Sequence, residues 1–196
     1  FEPFKPVSQM DSSHFEMPNI FDVLDHEDIL LHTPYHDYDL VLRFFNEAAL
    51  DPNVTHIYTT VYRLAKDSKI GHALLNAARN GKKVFVFVEL KARFDESNNI
   101  LWAKRLKSEG VHISYGIPKI KVHAKVALVI KNNKYYGLLS TGNLNENTAK
   151  QYTDHSMLTS NQAILEELHQ LFVFLSQNRR KTADDNIEFK HLLVAH

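Results

Sequence analysis

His123 and Lys125 are the only His-x-Lys pair in a chain of 196 residues that contains twelve histidines. They lie in a strand-like run, residues 119–130 (KIKVHAKVALVI). Side chains of a strand alternate between its two faces. Lys119, Lys121, His123 and Lys125 therefore share one face, and Ile120, Val122, Ala124 and Val126 share the other. The apolar face can bury in a core, while the other sets one titratable imidazole among cations. A histidine that attacks a phosphate needs that arrangement. The lysines hold the anion, and their charge disfavours the imidazolium, so the ring keeps its lone pair. Taken alone the pair is a weak signal, because most strand histidines are structural.

Other residues could complete such a site. The segment STGN at 140–143 follows the next strand, and a Gly turn flanked by hydroxyls and the Asn143 amide can offer N–H groups and polar heads to a phosphate. A plain turn would use the same residues. Arg63 ends one apolar strand and Arg93 follows another, and in open α/β sheets ligands bind beyond the carboxyl ends of strands. Guanidinium forks match phosphate oxygens, although Arg93 could equally pair with Glu89, Asp95 or Glu96. By pattern alone Tyr152 reads as a core residue, with base stacking as the alternative. Among the other histidines there is no metal-ligand spacing: His32 and His36 are separated by Pro34, and no HExxH occurs, which argues against a zinc site.

The elements that must position these groups read as an α/β alternation. Strands are expected at 28–32, 54–62, 83–90, 111–115, 119–130, 135–139 and 152–158, and helices at 39–50, 67–80, 99–109 and 163–175. Asp39 is the expected cap of the first helix, and Gly81 and Gly110 are stop signals. The KNNK segment at 131–134 reads as a hairpin turn. The expected fold is an α/β sandwich, a mixed β-sheet flanked by helices, parallel early and antiparallel late.

Residues 1–20 read as a linker or the tail of an upstream domain, 21–178 as one compact domain, and 179–196 as a linker followed by the first strand of a further domain. A chain that begins in a linker without Met reads as a segment of a longer protein. Lys plus Arg equals Asp plus Glu, so no global field draws nucleic acid, and a polyanion must bind through a local basic patch. With no cysteine, disulfides and thiolate zinc sites are excluded. No apolar run spans a bilayer and no signal peptide opens the chain. A cytoplasmic protein is expected, with peripheral attachment to the inner membrane as the alternative.

Seven segments, DILLHTPY (28–35), TVYR (60–63), VELKARFDE (88–96), GVHISYG (110–116), KVHAK (121–125), STGNLN (140–145) and YTD (152–154), together resemble the bacterial polyphosphate kinase family, type 1. The resemblance runs in family order from about residue 28 to 175. It implies the first of two C-terminal catalytic domains, each similar to half of a phospholipase D-type fold. It implies reversible transfer of the terminal phosphate of ATP to polyphosphate through a phosphohistidine at His123, with Lys125 beside it. Arg63 and Arg93 match arginines of a magnesium-phosphate site, and Tyr152 matches a nucleotide-contacting tyrosine. Mg²⁺ is the implied cofactor, with ATP or ADP as substrate. Arginine has no lone pair for a metal, so Arg63 and Arg93 are read as contacts to phosphate oxygens that the ion also touches. The implied partners are ATP, inorganic polyphosphate, the remaining domains of the same enzyme and, at full length, further copies of it, with no specific nucleic acid partner.

The chain departs from the related patterns in places. The phospholipase D pattern HxKxxxxD has Ile130 where the aspartate would stand, which weakens a hydrolase reading and leaves the group that orients His123 unidentified. Some family members carry a histidine just before the glycine turn, where this chain has Leu138. Residues 189–195 (FKHLLVA) resemble the first strand of a second catalytic domain that is absent here, so the chain alone is expected to have little or no activity. A phospholipase D-like phosphodiesterase and a non-catalytic polyanion-binding module remain the two alternatives.

Overall fold

The computed structural model describes residues 18–89, 96–116, 121–177 and 189–192. Strands β1 (Ile29–Thr33), β2 (Val54–Val61), β3 (Lys83–Val88), β4 (His112–Tyr115), β5 (Lys125–Lys131), β6 (Lys134–Ser140) and β7 (Asp154–Thr159) form one sheet in the order β1-β7-β6-β5-β2-β3-β4. The β2-β3-β4 side is parallel, and every pairing from β2-β5 through to β7-β1 is antiparallel. The expected mixed sheet, parallel early and antiparallel late, is therefore the observed one. The KNNK segment makes the β5-β6 hairpin, with Asn132 and Asn133 at φ 50° and 61°, the left-handed pair that a tight hairpin turn requires.

Helices α1 (Ile20–Leu24), α2 (Asp39–Leu50), α3 (Lys69–Arg79) and α4 (Glu96–Ser108) cover one face, and α5 (Gln162–Ser176) covers the other. In α2, Leu40, Phe44 and Ala48 recur at helical spacing and bury against the sheet. Its cap is Tyr38 rather than Asp39, which instead opens the first turn as an acid. α3 starts at Lys69, two residues later than expected, because Ser68 accepts from Gly71 N and Glu146 accepts from Lys69 N. Gly71 lets α4 approach closely: a Cβ there would lie 2.6 Å from the Trp102 ring. On the opposite face, Leu165, Leu168 and Phe172 of α5 pack on Phe85, Phe87, Val126 and Leu128. Each such side chain contributes about 1.5–3 kcal/mol by its burial.

Several boundaries differ from expectation. Asn19 caps α1 and Ile20 is fully buried in the core, so the packed region already includes part of the segment read as a tail. β5 begins only at Lys125: residues 121–124 are irregular, and 117–120, including Lys119, lie outside the described residues. β7 begins at Asp154, two residues late. Among the described residues 189–192 there is no strand. Their course follows Glu167 of α5, whose carboxylate accepts from the backbone N–H groups of Lys190, His191 and Leu192 at 2.7–3.1 Å.

Candidate functional site

All seven strands turn one set of ends toward the same edge of the sheet. Because β5 runs antiparallel to β2, its start lies beside the end of β2. The same alternation brings together the ends of β1, β2, β3 and β6 and the starts of β5 and β7. Thr33, Tyr62, Arg63, Glu89, His123, Lys125, the 140–143 turn and Asp154 are thus gathered at one edge, although they are spread over more than a hundred residues of chain. His123 lies at the β2-β5 boundary, where the parallel half of the sheet meets the antiparallel half.

There the two backbones separate. Their register ends at Thr59–Ala127, and the Thr60 hydroxyl continues it, donating to Ala124 O at 2.7 Å and accepting from Val126 N at 3.1 Å. One step earlier, Val122 N donates to Glu89 Oε2 at 3.0 Å, while Glu89 N donates to Val61 O at 2.9 Å. Glu89 is buried and ends the apolar run of β3. Its carboxylate ties the segment before His123 to the ends of β2 and β3. A lone acid closing a continuous apolar run was the signal that could have marked it, since a buried carboxylate needs donors. Thr60 carried no such signal.

The alternation expected for 121–125 survives without regular strand. Val122 and Ala124 pack on the α5-side core, while Lys121, His123 and Lys125 all approach the Tyr62 ring. His123 is exposed, and among the described residues neither of its ring nitrogens has a hydrogen-bond partner. Partial burial, then the charges of Lys125 and Lys121, push its imidazole below the ordinary value of 6.5, so the ring is neutral at neutral pH. Lys125 is not on an open face as expected: it is 6 % exposed, with Nζ donating to His123 O at 2.7 Å. Burial is the largest influence on it, opposed by Asp154 and reinforced by Lys121, and brings its pKa down to about 8.

The 140–143 turn packs against the start of β7. Thr141 Oγ1 donates to Asp154 Oδ1 at 2.8 Å, and Thr141 N donates to His155 O at 2.9 Å. Gly142 is required there, because a Cβ would sit 2.5 Å from Asp154 Oδ2. Asn143 Oδ1 is buried without a donor among the described residues. Asn145 then closes the loop, accepting from Asn147 N and Thr148 N and donating to Arg63 O at 3.4 Å. Arg63 is half-buried, its guanidinium 5.8 Å from the Tyr62 centroid. Tyr152 is 60 % exposed rather than a core residue, because it precedes β7 in an open turn that offers no apolar wall. Arg93 lies outside the described residues. Leu138 and Ile130 are ordinary β-strand residues, the first fully buried.

Magnesium takes oxygen ligands in near-octahedral array, which arginine cannot supply. Among the described residues no group of three or more His, Asp or Glu side chains is placed to hold a metal. An arginine of a magnesium-phosphate site can therefore meet the ion only through the phosphate oxygens it holds. No helix among the described residues is long and apolar enough to cross a membrane.

Comparison with known proteins bears on the family and the fold. The family described as polyphosphate kinase C-terminal domain 1 matches residues 19–181. The polyphosphate kinase of Vibrio vulnificus (strain YJ016) is 40 % identical over 97 % of this chain and 27 % of its own length. That of Escherichia coli (strain K12) is 42 % identical over 90 % of this chain and 26 % of its own. The chain thus spans about a quarter of the length of these curated relatives. The crystal structure of polyphosphate kinase from Porphyromonas gingivalis superposes with a TM-score of 0.75 at 42 % identity, covering 86 % of this chain and 29 % of that one. Nuc from Salmonella typhimurium, a phospholipase D family member, shares the fold at 16 % identity and a TM-score of 0.57, covering 78 % of this chain and 93 % of that one. With the family match spanning residues 19–181, which hold all seven strands, and relatives 40 % identical over most of the chain, the chain belongs to the polyphosphate kinase C-terminal domain 1 family.

Proposed function

We propose that this domain supplies the phosphate-accepting histidine of a polyphosphate kinase, which moves the terminal phosphate of ATP reversibly onto inorganic polyphosphate. The observation that carries the reading is the neutral His123 ring, exposed at the sheet edge with Lys121, Lys125 and Arg63 around it. The neutral imidazole attacks the terminal phosphorus through its lone-pair nitrogen. A P–N bond forms as the P–O bond to ADP breaks, and ADP leaves with the electron pair while the other ring nitrogen keeps its proton. A terminal oxygen of polyphosphate then attacks the same phosphorus, and the P–N pair returns to the ring. Phosphoryl transfer depends mainly on alignment and charge. Lys125 and Arg63 would neutralise the phosphate oxygens, with Arg93 and the Asn143 amide completing the cradle. The exposed Tyr152 would contact the nucleotide. Magnesium would enter with ATP, bound to its phosphates. The remaining domains of the enzyme would close the nucleotide side of the site, and further copies of the chain would complete the assembly.

The fold alone is also compatible with a phospholipase D-like hydrolase. Ile130, in the position of that pattern's aspartate, favours transfer over hydrolysis. The test is the intact mass of the full-length protein after incubation with ATP and magnesium, beside His123→Ala. One acid-labile phosphate that is lost in the variant is expected. An acid-stable phosphate, or one that persists in the variant, would overturn the assignment.

A further inference from the structure

Tyr62 belongs to neither hydrophobic core, although it directly follows β2. Its ring instead meets the functional groups. The His123 imidazole stands at 88° to it with centroids 5.0 Å apart. Lys125 Nζ lies 5.2 Å, Lys121 Nζ 5.5 Å and the Arg63 guanidinium carbon 5.8 Å from the ring centroid. These groups come from two segments that the chain separates by almost sixty residues, and the ring is what they have in common.

An aromatic face carries a negative quadrupole that attracts cations to within roughly 6 Å of its centroid. A carboxylate at this place would gather the same cations more strongly, but it would cancel their charge and favour the imidazolium over the nucleophilic imidazole. The ring does neither. Among the described residues, Lys121 and Lys125 form no ion pair with any carboxylate. An edge-to-face contact also restrains the imidazole plane, which no hydrogen bond among the described residues holds.

We propose that Tyr62 is a positioning residue: its ring orients the imidazole of His123 and gathers Lys121 and Lys125 while leaving their charge available to the incoming phosphoryl group. This rests on the phosphohistidine reading above, and it adds to that reading the residue that organises the nucleophile and its counter-charge. The prediction is specific to the ring, not to the hydroxyl or to side-chain volume.

The experiment compares Tyr62→Leu and Tyr62→Phe with wild type in the full-length protein. Rapid-quench labelling of the histidine by ATP is measured in parallel with tripolyphosphate binding and thermal unfolding. Leu should slow phosphorylation at saturating ATP by about 10–100-fold, a loss in kcat that exceeds any change in KM. It should weaken tripolyphosphate binding by about 5–30-fold. Phe should recover most of both. Equal behaviour of Leu and wild type in both assays would overturn the proposal, as would a Phe variant as impaired as Leu. A Leu loss matched by an equal loss of folded protein would also overturn it. If wild type carries no phosphohistidine, the functional reading falls by itself. Tripolyphosphate binding then decides for Tyr62: weakening by Leu with recovery by Phe supports the ring's role, and no difference ends it.

Discussion

Lys125→Met should make the folded chain more stable and less active, and the stability gain should reverse at high pH. Lys125 is almost fully buried, with a folded pKa of about 8 against an ordinary 10.5. Holding that charge in the folded state costs about 3 kcal/mol. Methionine keeps the apolar stem and removes the ammonium, but leaves His123 O without its donor, a loss of about 1 kcal/mol. A net stabilisation of about 1–2 kcal/mol is expected at pH 7. The direction of the pH dependence follows from proton counting. Between pH 8 and 10.5 the unfolded lysine still binds its proton while the folded one has released it, so wild type gains stability as pH rises across that window. The variant has no such gain. Urea unfolding at pH 7 and at pH 10.5 should therefore show Met ahead at the lower pH and behind by about 1 kcal/mol at the higher. Over the same substitution, histidine phosphorylation in the full-length protein should fall by about 100-fold or more. A variant less stable than wild type at pH 7, or a stability difference that does not change with pH, would refute the buried-charge argument.

Histidine labelling by ATP should rise with pH along an acid limb centred below 6.5, where the imidazole loses its proton, and decline on an alkaline limb at or above pH 8 as Lys125 loses its own. Lys125→Arg should abolish the alkaline limb, and a profile unchanged by that substitution would assign the limb elsewhere. Glu89→Ala removes the acceptor of Val122 N in a buried place, so a loss of about 1–3 kcal/mol in stability is expected, together with a fall in labelling rate larger than the unfolded fraction explains. Labelling that tracks the folded fraction would make Glu89 purely structural. Gly142→Ala drives a Cβ against Asp154 and should cost about 1–3 kcal/mol, read as a lowered urea midpoint, whereas an unchanged midpoint would mean that the turn yields freely.

The sheet was legible because its signals are local. β-branched and apolar runs marked β2, β3 and β5, helical spacing marked α2, α3 and α5, and Asn132–Asn133 marked the hairpin; each depends on residues within a few positions of one another. The His-x-Lys pair, the glycine turn and Arg63 could likewise be singled out by residue type and by position at element ends. Boundaries set by tertiary partners could not. The sequence run 119–130 reads as one strand, yet β5 begins only at Lys125 and its pairing with β2 only at Ala127, because the ladder beyond Thr59 is replaced by the Thr60 hydroxyl and by Glu89 reaching Val122 N. Tyr152 shows the same limit, since nothing in its neighbours along the chain says that no core wall stands beside it.

By itself the sequence determined the element types and singled out His123 and the cations that could serve it, since these follow from side-chain chemistry and short-range periodicity. Only the tertiary structure decided which groups meet. The antiparallel placement of β5 against β2 set Tyr62 beside His123, buried Lys125 until its charge became costly, and put Glu89 behind the segment leading to the histidine. These are properties of strand order and burial, which depend on contacts between residues far apart in the chain and leave no periodic mark along it.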